Sequence, residues 1–189
     1  MARVIPFEER AVARLRDRLG EAEAARADLI AFARGHAGAT AAIHEAVLAL
    51  MAAPTLEDSF AVVTRDWPGL LGIDCATIAL VVGDKAFRVD PSGTFALERE
   101  WVARAHERAA PVLLRSGGQG DPLFGPDAAS IASEASIRIG QRGCGTPFGV
   151  LLIGERAGRD LAAGEGEALL AFLGRSLDAI ISRWLRGTD

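Results

Sequence analysis

Apolar positions in the first fifty residues recur in alternating steps of three and four. From Val12 the series runs Val12, Leu15, Leu19, Ala22, Arg26, Leu29, Ala33, His36, Thr40, Ile43, Val47 and Leu50, and nine of these twelve are apolar. That spacing is the seam of a coiled coil. Flanking charges of both signs, among them Glu8, Arg14, Asp17, Arg18 and Glu21, fit its solvated faces. One continuous helix over this span would be about 58 Å long at about 1.5 Å per residue, too long to lie wholly on one small domain, so part of it requires another partner. Gly35 and Gly38 coincide with the polar seam positions His36 and Thr40. Each glycine costs about 1 kcal/mol relative to alanine, so a break is predicted near residue 35, giving two helices or one bent helix. Residues 1–53 are therefore expected to form an N-terminal helical, coiled-coil segment, and residues 54–189 a separate domain.

Beyond Pro54 the pattern changes. Thr55, with Asp58 three residues on, starts a predicted helix that runs to about Trp67 and is closed by Pro68-Gly69. The β-branched run CATIALVV over 75–82 predicts a buried strand, and after a Gly83-Asp84 turn residues 86–89 return as its hairpin partner. A helix is expected after Pro91-Ser92-Gly93, with Leu97, Trp101, Val102 and Ala105 on one apolar face, followed by a short strand over 111–115. Residues 116–127 hold four glycines and two prolines and form the longest irregular stretch, a candidate functional loop. Residues 132–139 alternate apolar and polar as a half-buried strand, and an apolar strand over 148–153 completes a second hairpin. Leu169, Leu173, Leu177, Ile181 and Trp184 mark an amphipathic C-terminal helix of about 20 residues. Strands and helices in this order make an α+β fold with an antiparallel sheet and helices packed against it.

The 189 residues, 50% hydrophobic and 24% charged, fit one or two globular domains. The net charge of −4 disfavours nucleic acid and anionic lipid as partners. No apolar run approaches the roughly 18 residues of a membrane span, and residues 1–10 lack the apolar core of a signal peptide, so a cytoplasmic protein is expected. Cys75 and Cys144 lie far apart with no CxxC spacing, which suits a reducing compartment.

Two stretches, LEDSFAVVTRDWPGLLGIDCATIALV over 56–81 and FGVLLIGERAGRDLAAGEGEALLAFLGRSLDAII over 148–181, resemble the opening and closing elements of a GAF domain. More narrowly, VIPFEERAVARLRDRLGEAE, LIAFARGHAGATAAIH, the LFG of 123–125 and GVLLIGERAGRDLAAGEGEALLAFLGRSL are similar to the bacterial domain-of-unknown-function 484 family. That resemblance implies an N-terminal helical segment coupled to a GAF-like domain, and it attaches no biochemical activity. It also implies that the loop over 116–127 lies over one face of the sheet and encloses a small-molecule pocket. The signature NKxnFxxxDE of cyclic-nucleotide-binding GAF domains and the Cys-His pair that carries the phytochrome chromophore are absent from the sequence.

Within that loop, Arg115, the backbone amides of Gly117, Gly118 and Gly120, and Arg138 on the next strand form the candidate site for an anionic or polar group, with Asp121 and Phe124 in its lining. The competing reading is a solvated loop whose arginines pair with Asp121, Asp127 or Glu134. Cys144, between Gly143 and Gly145, is a candidate reactive thiol, whereas Cys75 within an apolar strand is expected to be inert. The GAF fold does host a free methionine sulfoxide reductase, but the two cysteines here do not reproduce that enzyme's set. His36, His44 and His106 form no metal-ligand pattern, so neither a metal nor a cofactor is expected. Glu98, Glu100 and Glu107 fall on the polar face of a helix, and Trp67, Trp101 and Trp184 on apolar helix faces that predict core packing. The sequence thus leads to a non-enzymatic GAF-like sensory or regulatory module that binds a small molecule under the Gly-rich loop, a homodimer through its N-terminal helices that signals to an unidentified protein partner. A ligand-free scaffold recruiting such a partner is the alternative, and a thiol enzyme at Cys144 the remote one.

Overall fold

A computed structural model of the chain describes residues 37–143, 146–156 and 165–186, together with Gly20, Glu23, Arg26 and Gly35. The chain divides into two compact units, residues 1–41 and 42–189. In the first unit all described positions, Gly38 among them, are helical. Of the heptad series, Val12, Leu15, Leu19, Ala22, Leu29, Ala33 and His36 lie outside the described residues, as does Cys144.

The second unit opens on helix α1 (residues 42–52). Its Ile43, Ala46 and Leu50 are buried, so the last turns of the heptad series pack into the domain's own core. Helix α2 (Leu56–Ala61) begins at Thr55, whose hydroxyl accepts a hydrogen bond from the Asp58 amide at 3.0 Å. The chain then passes through one π-helical turn (Val62–Asp66) into α3 (Trp67–Leu71). Pro68, expected to close the helix, instead occupies its first turn, where a proline's missing N–H costs nothing. The Trp67 indole N–H donates to the buried Ala46 carbonyl at 3.0 Å and ties α3 to α1.

Six antiparallel strands follow in the spatial order β3-β2-β1-β6-β5-β4: β1 (Cys75–Val82), β2 (Lys85–Asp90), β3 (Gly93–Leu97), β4 (Val112–Ser116), β5 (Ser133–Ile139) and β6 (Phe148–Glu155). β3 corrects the expected helix over this stretch. Thr94, Phe95 and Ala96 are all exposed, and the short edge strand is held by its ladder to β2, so it lacks the alternation that marks a half-buried strand. Helix α4 (Arg99–Arg108) follows, and α5 (Glu165–Arg186) closes the fold. No described helix is long and apolar enough to cross a membrane.

The two faces of the sheet carry different cores. Ile78, Leu80, Ile137, Leu151 and Ile153 pack under α1, α3 and α5 with Trp67, Leu173 and Leu177. On the opposite face, Ala79, Val81, Val150 and Leu152 meet Val102 and Ala105 of α4 and Leu123, Phe124 and Ile131 from the connection between β4 and β5. The candidate loop belongs to this second layer.

Candidate functional site

The segment after β4 is more ordered than its composition implies. Pro122–Ser130 forms two pieces of 3-10 helix joined at a kink at Gly125, where φ is 64° and ψ −129°. Asp121 starts it, its carboxylate accepting from the Leu123 amide at 3.0 Å. Leu123 and Phe124 point inward and are almost fully buried. Packing around them is tight. A Cβ placed on Gly154 of β6 would lie 2.6 Å from Ile131 Cδ1, 2.8 Å from Cys75 Sγ and 3.1 Å from Phe124 Cε1. The space between this segment and the sheet is therefore filled by side chains.

The six proposed site residues do not converge on one cavity. Arg115, Gly117 and Gly118 line a cleft with Ser133 and Glu134, but its volume is about 10 Å³, room for about one water. Two of the loop amides are already used, Gly117 N donating to Ala132 O at 2.9 Å and Gly120 N to Ala128 O at 3.0 Å. Arg115 Nη1 lies 3.3 Å from Glu134 Oε1. Asp121 pairs with Arg108 at 2.7 Å. Phe124 is a core side chain. Arg138, four residues beyond Glu134 on β5 and so about 13 Å away, donates to the His106 and Glu107 carbonyls, at 3.1 and 3.4 Å, at the C-terminal end of α4.

Two groups named in the sequence reading prove to be buried: Glu134, the partner that the competing reading offered to the loop's arginines and that Arg115 does meet, and His106. Glu134 was read as part of a solvated strand face, yet it is 2% exposed because α4 and the 3-10 segment cover that face. Its Oε2 accepts the Asp121 amide at 2.6 Å. Burial pushes its carboxyl above the usual range, against the opposing pull of that amide and of Arg115. His106, buried at the end of α4, has Nε2 3.1 Å from Gly140 O and stands edge-on to the Phe148 ring at 5.3 Å. Burial lowers its pKa below 6.5. Which arginine Glu134 meets follows from its position opposite Arg115 in the β4–β5 ladder, a register that the sequence alone does not fix.

Cys75 is buried and its thiol is pushed up to about 11 by burial first, with Asp127 adding to the effect, so the neutral and unreactive form prevails. Among the described residues no group of His, Cys, Asp and Glu is placed to hold a metal. The core packing expected of all three tryptophans holds for two of them. Trp67 is in the core and Trp184 packs against it, but Trp101 is 44% exposed, because α4 starts two residues past the end of β3 and turns Val102, Ala105 and His106 to the sheet instead.

None of the curated proteins matches the sequence. Among solved structures the chain is similar to the GAF domain of the Acinetobacter phosphoenolpyruvate-protein phosphotransferase, at 12% identity and TM-score 0.53, covering 77% of this chain and 94% of that one. It is similar to the corresponding GAF domain from Coxiella burnetii at 18% identity and TM-score 0.54, with 77% and 94% covered. The bacteriophytochrome RpBphP3 from R. palustris matches at 13% identity and TM-score 0.55, over 77% of this chain but 38% of that one. The fold is thus GAF-like, as its sheet and flanking helices indicate. Because the family model described as "Protein of unknown function, DUF484" matches residues 1–186, nearly the whole length that carries these elements, the chain belongs to the DUF484 family.

Proposed function

We propose that this chain is a non-enzymatic, GAF-like regulatory module that acts through protein contacts: with a second copy, through the helical segment 1–53, and with a separate protein partner. The observation that carries this reading is the filled sheet face. Phe124, Ile131 and Leu123 occupy the room under the loop, and the cleft left there is about 10 Å³, far short of the roughly 300 Å³ at which small-molecule sites begin. The heptad series supports self-association. The related solved domains are parts of larger proteins, in keeping with a module that passes its signal on.

Light scattering on the full-length protein tests the self-association. The wild type is expected to be a dimer, and a Leu15→Glu, Leu19→Glu variant, which puts charge into the apolar seam, a monomer. A monomeric wild type would overturn the reading.

A further inference from the structure

A second cleft, of about 230 Å³, lies between α4 and the start of the 3-10 segment, lined by Trp101, Arg104, Arg108, Asp121, Pro122 and Leu123. Trp101, Arg104 and Arg108 stand three and seven residues apart and therefore share one side of α4. Resting on the protein-contact reading above, we propose that this cleft docks an acidic, extended segment of the protein partner, an apolar side chain lying on Trp101 and a carboxylate on Arg104.

Charge complementarity selects this occupant. The chain as a whole carries a net charge of −4, yet the cleft brings two arginines against one carboxylate. That carboxylate is spent: Asp121 accepts from Arg108 at 2.7 Å and from the Leu123 amide at 3.0 Å. Arg104 makes no ion pair among the described residues. One positive charge is left to an incoming group, and a guanidinium holds a carboxylate through two parallel hydrogen bonds. Trp101, 44% exposed beside it, offers a large apolar surface. Tryptophan and arginine together are the side chains that most often anchor protein interfaces. The volume fits one or two side chains rather than a whole cofactor, and a single unpaired arginine on an acidic protein does not make a phosphate-backbone track.

The test uses the full-length protein as bait for a phage-displayed library of random short peptides. The most enriched peptide is synthesised with a fluorescent label, and its affinity is measured by anisotropy for the wild type and for Trp101→Ala, Arg104→Glu and Arg104→Lys. Recovered peptides are expected to carry Asp or Glu beside an apolar residue. Trp101→Ala and Arg104→Glu should each weaken binding about tenfold or more, while Arg104→Lys, which keeps the charge, should retain most of it. Both side chains are exposed, so the melting temperatures should not change. Peptides without acidic residues, or an affinity indifferent to Trp101→Ala and Arg104→Glu, would overturn the docking site, as would displacement of the peptide by free glutamate at similar affinity. The two readings fail separately: loss of the docking site leaves a dimer with a filled sheet face untouched, whereas a small molecule found under the loop removes the reading beneath it.

Discussion

Gly125 combines two constraints that no other residue type meets. Its φ of 64° lies in the left-handed region, and a Cβ there would collide with the Arg88 guanidinium. Arg88 cannot easily withdraw, since its Nε bonds Asp90 at 2.9 Å and its guanidinium lies 4.6 Å from the Phe95 ring centre. Gly125→Ala is therefore expected to lose about 3 kcal/mol in a urea titration, against about 1 kcal/mol for Gly118→Ala, where φ is 107° but the surrounding space is open. Two titrating residues work in opposite directions. Folded Glu134 holds its proton more tightly than the unfolded chain does, so its contribution is complete below pH 4.5 and is lost as pH rises through the raised pKa. Folded His106 holds its proton less tightly, so its contribution is complete above pH 6.5 and is lost as pH falls through the lowered one. Relative to Glu134→Gln the wild type should lose stability with rising pH, and relative to His106→Gln with falling pH, both measurable from denaturant midpoints across that range. Neither burial was legible in the sequence, because alternation on a strand and periodicity on a helix say which side a residue is on but not what covers that side.

At the scale of elements, hydrophobic patterns located β1, β6 and the C-terminal helix closely, since the two strands are buried along almost their whole length and the helix along one face, and packing agrees with local propensity. β3 escaped because an exposed edge strand is specified by its ladder partner rather than by its own residues. The run through Pro68 escaped because a π-helical turn resets the hydrogen-bond register before the proline arrives. The same helices make a test of how α1 is held. Trp67→Phe removes the N–H bonded to the buried Ala46 carbonyl and should cost about 1 kcal/mol. Leu50→Ala should cost about 2–5 kcal/mol, because Leu50 is fully buried in the core shared with the sheet. Both losses should appear as a lower midpoint of one cooperative transition rather than as early fraying of α1 in hydrogen exchange.

For the whole molecule, the sequence conveyed the α+β architecture and its GAF resemblance, but not whether the loop over 116–127 shelters a cavity. That depends on where two side chains point. Leu123 and Phe124 turn inward at the Gly125 kink and complete the second core. Phe124→Ala should therefore behave as an ordinary core truncation, costing about 3–5 kcal/mol; a Phe124 that served as a movable lid over a ligand site would cost little. The most direct measurement of the central claim is a native mass spectrum of the full-length protein taken straight from purification. A dimer with each protomer at its polypeptide mass is the expected result, and a protomer carrying a bound small molecule would contradict the account.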